Sequence, residues 1–164
     1  LNEHDDFLEI IFPDETSGFI IDNQIKMKKN RRNIVSLSKN LLGVPYLWGG
    51  ASSFGYDCSG FVQSILKALN ISIARDSSDQ YGDERLCGVD LKDAKPGDLI
   101  FFFENEKVNH VGFILDDHEI MHCSGEVKIE SCDKNNDDYN KELFAKKHAA
   151  MSIENLLENN VNVS

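Results

Sequence analysis

The 164-residue chain has no excess of positive charge: 28 acidic residues against 17 lysines and arginines leave a formal net charge of −11 and a pI near 4.8. A field of that sign repels phosphate backbones and anionic membrane surfaces, so no nucleic-acid partner is expected. The one basic run, residues 26–32 (KMKKNRR), is short and isolated and reads as a solvated linker. There is no apolar run of about eighteen residues, and nothing at the start pairs a charged segment with an apolar one, so membrane insertion is not expected either. Because the chain opens with Leu1 rather than Met, the missing leader pattern excludes nothing about a preceding segment. Cys58, Cys87, Cys123 and Cys132 form no C-x-x-C pair, which argues against a zinc ribbon or a thioredoxin-like site. A domain of this size does not need disulfides, so free thiols are expected: Cys87 and Cys132 in loops or half-buried, Cys123 as a small apolar residue. The glycine-rich residues 46–56 (YLWGGASSFGY) contain neither G-x-G-x-x-G nor a P-loop lysine, so a phosphate cradle is not the reading.

What is present is 41% hydrophobic residues, enough for one ordinary core. Residues 7–12 and 18–22 read as two short strands around a turn-rich PDETSG, too few to bury a core alone. From Asn33 the period turns helical through Ile34, Leu37 and Leu41, stopped by Gly43 and Pro45. The clearest element follows. Cys58, Phe61, Val62, Ile65, Leu66 and Leu69 fall on one helical face, with Asp57 at the N-cap position. Residues 77–86 predict a third short helix. Four strands then follow: 99–103 (LIFFF), 110–115 (HVGFIL), 119–123 (EIMHC) and 127–131 (VKIES). Helices first and strands after predict an α+β domain with an antiparallel sheet, trailed by a surface excursion over 133–147 and a loose tail.

Residues 118–122 (HEIMH) match the zinc-peptidase pattern H-E-x-x-H, which works only on a helix, where i and i+4 share a face. Here the motif follows a two-aspartate turn and is closed by Ser124-Gly125, which reads as a strand. Strand spacing would hold the two histidines roughly 13 Å apart, beyond one metal ion. A third ligand would have to come from Glu142 or His148, and neither continues a zinc pattern. His118 is then a turn residue, and no metal is expected.

Cys58 at a helix start is suited to be a thiolate, because unpaired N–H groups and the dipole lower a cysteine pKa. The bland alternative is a plain buried cysteine, and for His110 a satisfied core histidine. A second histidine at His122 shifts that balance. A three-residue turn at 116–118 gives a register in which His110 and His122 share a face, whereas a two-residue turn puts them on opposite faces. Cys58, His110 and His122 then form nucleophile, base and orienting group for acyl transfer, with the Cys58 N–H among the oxyanion donors.

Six ordered blocks, PYLWGG (45–50), DCSGFV (57–62), ARDSSDQY (74–81), PGDLIFF (96–102), HVGFIL (110–115) and IMHCSG (120–125), make residues 31–130 similar to the NlpC-type cell-wall cysteine peptidases. The resemblance implies a papain-like α+β fold, with N-terminal helices packed on an antiparallel sheet and a catalytic domain over 31–150. It implies Cys58 as nucleophile, His110 as base and His122 as third member, with Tyr46, Asp57 and Ser59 lining the site and no cofactor. Asp76 and Ser77 match the subgroup that cleaves after γ-D-glutamate in freed muropeptides, where a carboxylate can pair with the free α-amine of L-alanine. The structural alternatives are Asp57 as a cap only, Tyr46 and Trp48 as core aromatics, and Asp76-Ser77 as a helix-start pair. Ala74 stands where the subgroup has proline. Residues 1–30 resemble the tail of a preceding Src-homology-type barrel plus linker, and 151–164 a C-terminal tail. The expected partner is a murein peptide and the expected state a monomer. A recycling enzyme favours the cytoplasm, with an extracytoplasmic location as the alternative. Competing functions on the same fold are hydrolysis of intact wall, lipid acyl transfer and an inactive binding module.

Overall fold

A computed structural model describes residues 7–21, 27–115 and 119–158. Strands β1 (Phe7–Ile11) and β2 (Ser17–Ile21) pair antiparallel in a two-stranded sheet of their own. Helix α1 (Arg31–Lys39) starts at Asn30, whose side chain accepts the Asn33 N–H at 2.8 Å, and it buries Ile34 and Ser38. It begins before the predicted Asn33 and stops before Leu41. The glycine-rich stretch is not all loop, because β3 (Ala51–Ser52) and β4 (Gly55–Tyr56) form a small hairpin within it. Helix α2 (Cys58–Ala68) then carries the predicted apolar face, with Phe61, Val62, Ile65 and Leu66 buried. Helix α3 (Ser77–Tyr81) is half the predicted length and is capped at Gly82.

The main sheet has six strands in the order β5-β10-β6-β7-β8-β9, every pair antiparallel. They are β5 (Cys87–Val89), β6 (Leu99–Glu104), β7 (Lys107–Ile114), β8 (Glu119–Ser124), β9 (Glu126–Ser131) and β10 (Lys147–Ser152). Period-2 alternation splits the sheet into two faces. Leu99, Phe101, Val111, Phe113, Met121 and Cys123 join Phe61 and Leu66 of α2 in the larger core. Ile100, Phe102, Ile114 and Ile120 point the other way and meet Leu143 and Ala150. A register shift between Phe102–His110 and Phe103–Val108 makes Asn109 the extra residue of a bulge beside His110.

Residues 151–157 are not a loose tail. Met151 and Ser152 belong to β10, a helical turn α5 follows α4 (Lys141–Phe144) in chain order at Glu154–Leu157, and Ile153 and Leu156 are buried in the larger core. Asp98 ties this end to the start of the domain: its Oδ1 accepts Arg31 Nη1 at 2.7 Å and the Ile153 N–H at 3.0 Å. A carboxylate that is 1% exposed needs such partners, and these ones join α1, the turn before β6 and the C-terminal segment. Among the described residues no helix is long and apolar enough to cross a membrane.

Candidate active site

Asp57 organises the start of α2. Its Oδ1 accepts the Gly60 N–H at 2.6 Å, which makes it the predicted N-cap. The same oxygen accepts Arg75 Nη1 at 2.9 Å and the Ser59 hydroxyl at 3.3 Å, while Oδ2 accepts Arg75 Nη2 at 2.6 Å and the Gly49 N–H at 3.0 Å. Burial alone would raise this carboxyl, but Arg75 and the two backbone amides outweigh it and hold the pKa below the ordinary value. Gly60 is required here: a Cβ on it would lie 2.1 Å from the Gly50 carbonyl oxygen. Buried Gln80 adds a further tie, donating from Nε2 to the carbonyls of Ser59 and Ala74, both at 3.0 Å.

Cys58 lies in the first turn of α2, half-buried, in a cleft of about 780 Å³. Tyr46, Asp57, Ser59, Asp76, Ser77 and His110 line the same cleft. All five residues singled out for substrate contact therefore border the space that holds the thiol. Trp48 is 87% exposed at the rim, which rules out its reading as a core aromatic. Asp76 is exposed and makes no cap hydrogen bond, although it occupies the N-cap position of α3.

The helix start does not lower the Cys58 pKa as expected. Burial raises it, the neighbouring Asp57 charge adds to that, and hydrogen bonds to the sulfur from the backbone of Val111, Ser59 and Cys58 itself offset only part. His110 moves the other way: burial, reinforced by His122, pushes it down to about 3. Both shifts favour a neutral thiol facing a neutral imidazole, rather than a standing ion pair.

The two histidines do share a face. Gly112 pairs with His122 and Ile114 with Ile120, the register expected for a turn over 116–118, which itself lies outside the described residues together with His118. They are diagonal rather than directly opposed, and His110 Nε2 lies 2.7 Å from His122 Nδ1 with the rings near perpendicular. Gly112 makes the room: a Cβ there would stand 2.8 Å from the His122 Cβ. Glu119 and His122, the described ends of the zinc-like motif, lie on a strand, and among the described residues no three His, Cys, Asp or Glu side chains are arranged to hold a metal ion.

The sequence reading missed what lies behind His122. Its Nε2 is 2.9 Å from Glu130 Oε2, an oxygen that also accepts Asn140 Nδ2 at 2.6 Å, and Lys128 Nζ is 2.6 Å from Glu130 Oε1. Burial would raise the Glu130 carboxyl, but His122, Lys128 and Asn140 bring it down to about 2. The available signal was the alternation of VKIES, which sets Lys128 and Glu130 on one face of β9. The pairing of Arg75 with Asp57 was missed as well. Of the other thiols, Cys87 is exposed and Cys132 half-buried, while burial, with the Cys58 and Asp57 charges, pushes Cys123 up to about 12 and its Sγ donates to the Tyr56 carbonyl.

The NlpC/P60 family pattern matches residues 43–149. The chain belongs to the NlpC/P60 family. It is 42% identical over 124 residues to a γ-D-glutamyl-L-lysine dipeptidyl-peptidase of Bacillus subtilis, an alignment covering 73% of this chain and 41% of that protein. A protein of the same name from Bacillus cereus is 39% identical over 93 residues, covering 55% and 27%. The crystal structure of an NlpC/P60 family protein from Bacillus cereus superposes with a TM-score of 0.71 at 26% identity, covering 92% of this chain and 51% of that one. The α+β, papain-like architecture of this chain is that of the family, and the chain spans less than half the length of the curated relatives it matches.

Proposed function

We propose that this chain is the catalytic part of a cysteine endopeptidase that hydrolyses the bond between γ-D-glutamate and the diamino acid in short peptidoglycan-derived peptides. The observation that carries the reading is the shared cleft of Cys58 and His110, with His122 hydrogen-bonded behind His110. The named activity of the two Bacillus relatives supports the choice of bond.

Because His110 uses Nε2 toward His122, its Nδ1 is the nitrogen left for the thiol. Nδ1 takes the Cys58 proton as Sγ bonds to the γ-carbonyl carbon of D-glutamate, and the resulting oxyanion is met by the Cys58 N–H at the helix start. Collapse breaks the C–N bond, and the diamino acid leaves as an amine carrying the proton from His110. Water then gives a proton to Nδ1 and its oxygen to the thioester carbon, and Sγ departs and regains that proton. With a neutral resting pair, the thiol proton moves as substrate arrives rather than beforehand.

Asp76 is the carboxylate assigned to the free α-amine of L-alanine, with Ser77 and Tyr46 as polar neighbours. Asp57 contributes charge to the same end of the cleft while its oxygens stay with five protein donors. A hairpin of β1 and β2 ahead of α1 fits the end of a preceding small barrel, with the catalytic domain running on through β10. A murein peptide is the partner, and one copy of the chain holds every residue invoked.

Incubation with L-Ala-γ-D-Glu-diaminopimelate, its L-lysine counterpart and intact sacculi, followed by mass spectrometry, tests the proposal. Release of L-Ala-D-Glu from a free tripeptide is the expected result. Cleavage of sacculi alone would move the reading to a wall hydrolase, and binding without cleavage of any of the three would make the domain a binding module.

A further inference from the structure

We propose that Glu130 is a positioning residue that sets the tautomers of both histidines, extending the chain behind the thiol to His110–His122–Glu130. This rests on the reading of Cys58 as nucleophile and His110 as base. An ionised carboxylate only accepts hydrogen bonds. At 2.9 Å from Glu130 Oε2, the His122 Nε2 must therefore carry the proton. With both imidazoles neutral, each has one donor and one acceptor nitrogen, so His122 Nδ1 is the acceptor and His110 Nε2, 2.7 Å away, is the donor. That leaves His110 Nδ1 with a lone pair, the form required to take a thiol proton. One carboxylate thus fixes two rings through two hydrogen bonds.

Glu130 is built to remain the acceptor. Asn140 Nδ2 donates to the same oxygen as His122, and Lys128 pairs with the other. Asn140 is itself held, since its Oδ1 accepts the Leu143 N–H at the start of α4. The charged groups that act on His110 besides His122 are Glu130, Lys128 and Lys146. The competing explanation is that Glu130 merely ties β9 to the segment before α4, which would leave the tautomers untouched.

Nitrogen-15 NMR of the histidine rings separates the two. Wild-type protein is expected to show both His110 and His122 protonated on Nε2, and a His122 proton on Nδ1 would overturn the proposal with no variant needed. Glu130→Met, which removes the acceptor, should mix the tautomers, slow alkylation of Cys58 by iodoacetamide, and lower kcat by about 10- to 100-fold with little change in KM, the scale of losing an outer partner of an imidazole. Glu130→Gln can keep an oxygen toward His122, and it should restore the wild-type tautomers and most of the rate. A Met variant with wild-type tautomers and alkylation rate would overturn the inference. Tautomers that depend on Glu130 in a protein that cleaves no muropeptide would uphold it and sink the functional reading instead.

Discussion

The two faces of the β6-β7-β8 sheet differ in kind although they are built from the same strands. On the α2 side, Leu99, Phe101, Val111, Phe113, Met121 and Cys123 form an uninterrupted apolar layer. On the opposite side, Ile100, Phe102, Ile114 and Ile120 are apolar, but one end of that face carries His110 and His122, with Lys128 and Glu130 following on β9. Since side chains alternate, a shift of one residue in the β7–β8 pairing would exchange the layers and dismantle the polar chain. The apolar face therefore does more than stabilise: by penalising any slip, it holds the register that brings two imidazoles to 2.7 Å. The polar end can then be specified by few residues, because the core has already set its geometry.

Substitutions on the two faces should separate stability from activity. Cys58→Ala, at the start of α2 and packed on the α2-side core, should abolish turnover while leaving the thermal unfolding midpoint within a few degrees of wild type. Phe101→Ala on the apolar face should cost about 3–5 kcal/mol, read by denaturant unfolding, and any loss of rate should track the folded fraction. Gly112→Ala sits under both properties, since its Cβ would press on His122 and the Met121 carbonyl. About 1–3 kcal/mol of stability is expected to go, together with roughly 100-fold in kcat from misplaced imidazoles, so a rate loss that only tracks the folded fraction, as for Phe101→Ala, would contradict the division drawn here.

The last effect concerns acid. His110, lowered from 6.5 to about 3, and Glu130, lowered from 4.5 to about 2, both bind fewer protons folded than unfolded. The stability linked to them is complete above their unfolded values. It declines as pH falls from about 6.5 toward 3 for His110 and from about 4.5 toward 2 for Glu130. Unfolding midpoints measured against pH should therefore drop in acid, and His110→Gln should flatten the upper part of that slope.

Much of this was legible in the chain itself. The spacing of Cys58, Phe61, Val62, Ile65 and Leu66 marked α2, Asp57 marked its cap, and the residues between HVGFIL and EIMHC left two registers open, of which the three-residue turn puts both histidines on one face. The rest depends on contacts distant in sequence. β10 (KHAAMS) has neither alternation nor β-branched residues, and it is a strand because Ala149 and Ala150 pair with Phe101 and Ile100. Ile153 and Leu156 looked like part of a tail until Asp98 held their segment against α1. The Cys58 pKa was misjudged because the helix start is visible in sequence while the burial of the sulfur is not. Glu130 was missed for a similar reason: it matters only through its place diagonal to His122 across β8 and β9.

The most direct test is tripeptide cleavage measured three ways on the same preparation: untreated, after alkylation with iodoacetamide, and in the presence of a chelator. Loss of L-Ala-D-Glu release on alkylation, with full activity in the chelator and the alkyl group mapped to Cys58, is the predicted result. Cleavage that survives alkylation of Cys58 and disappears with the chelator would contradict a thiol mechanism and return His122 to the zinc-like motif from which the strand geometry removes it.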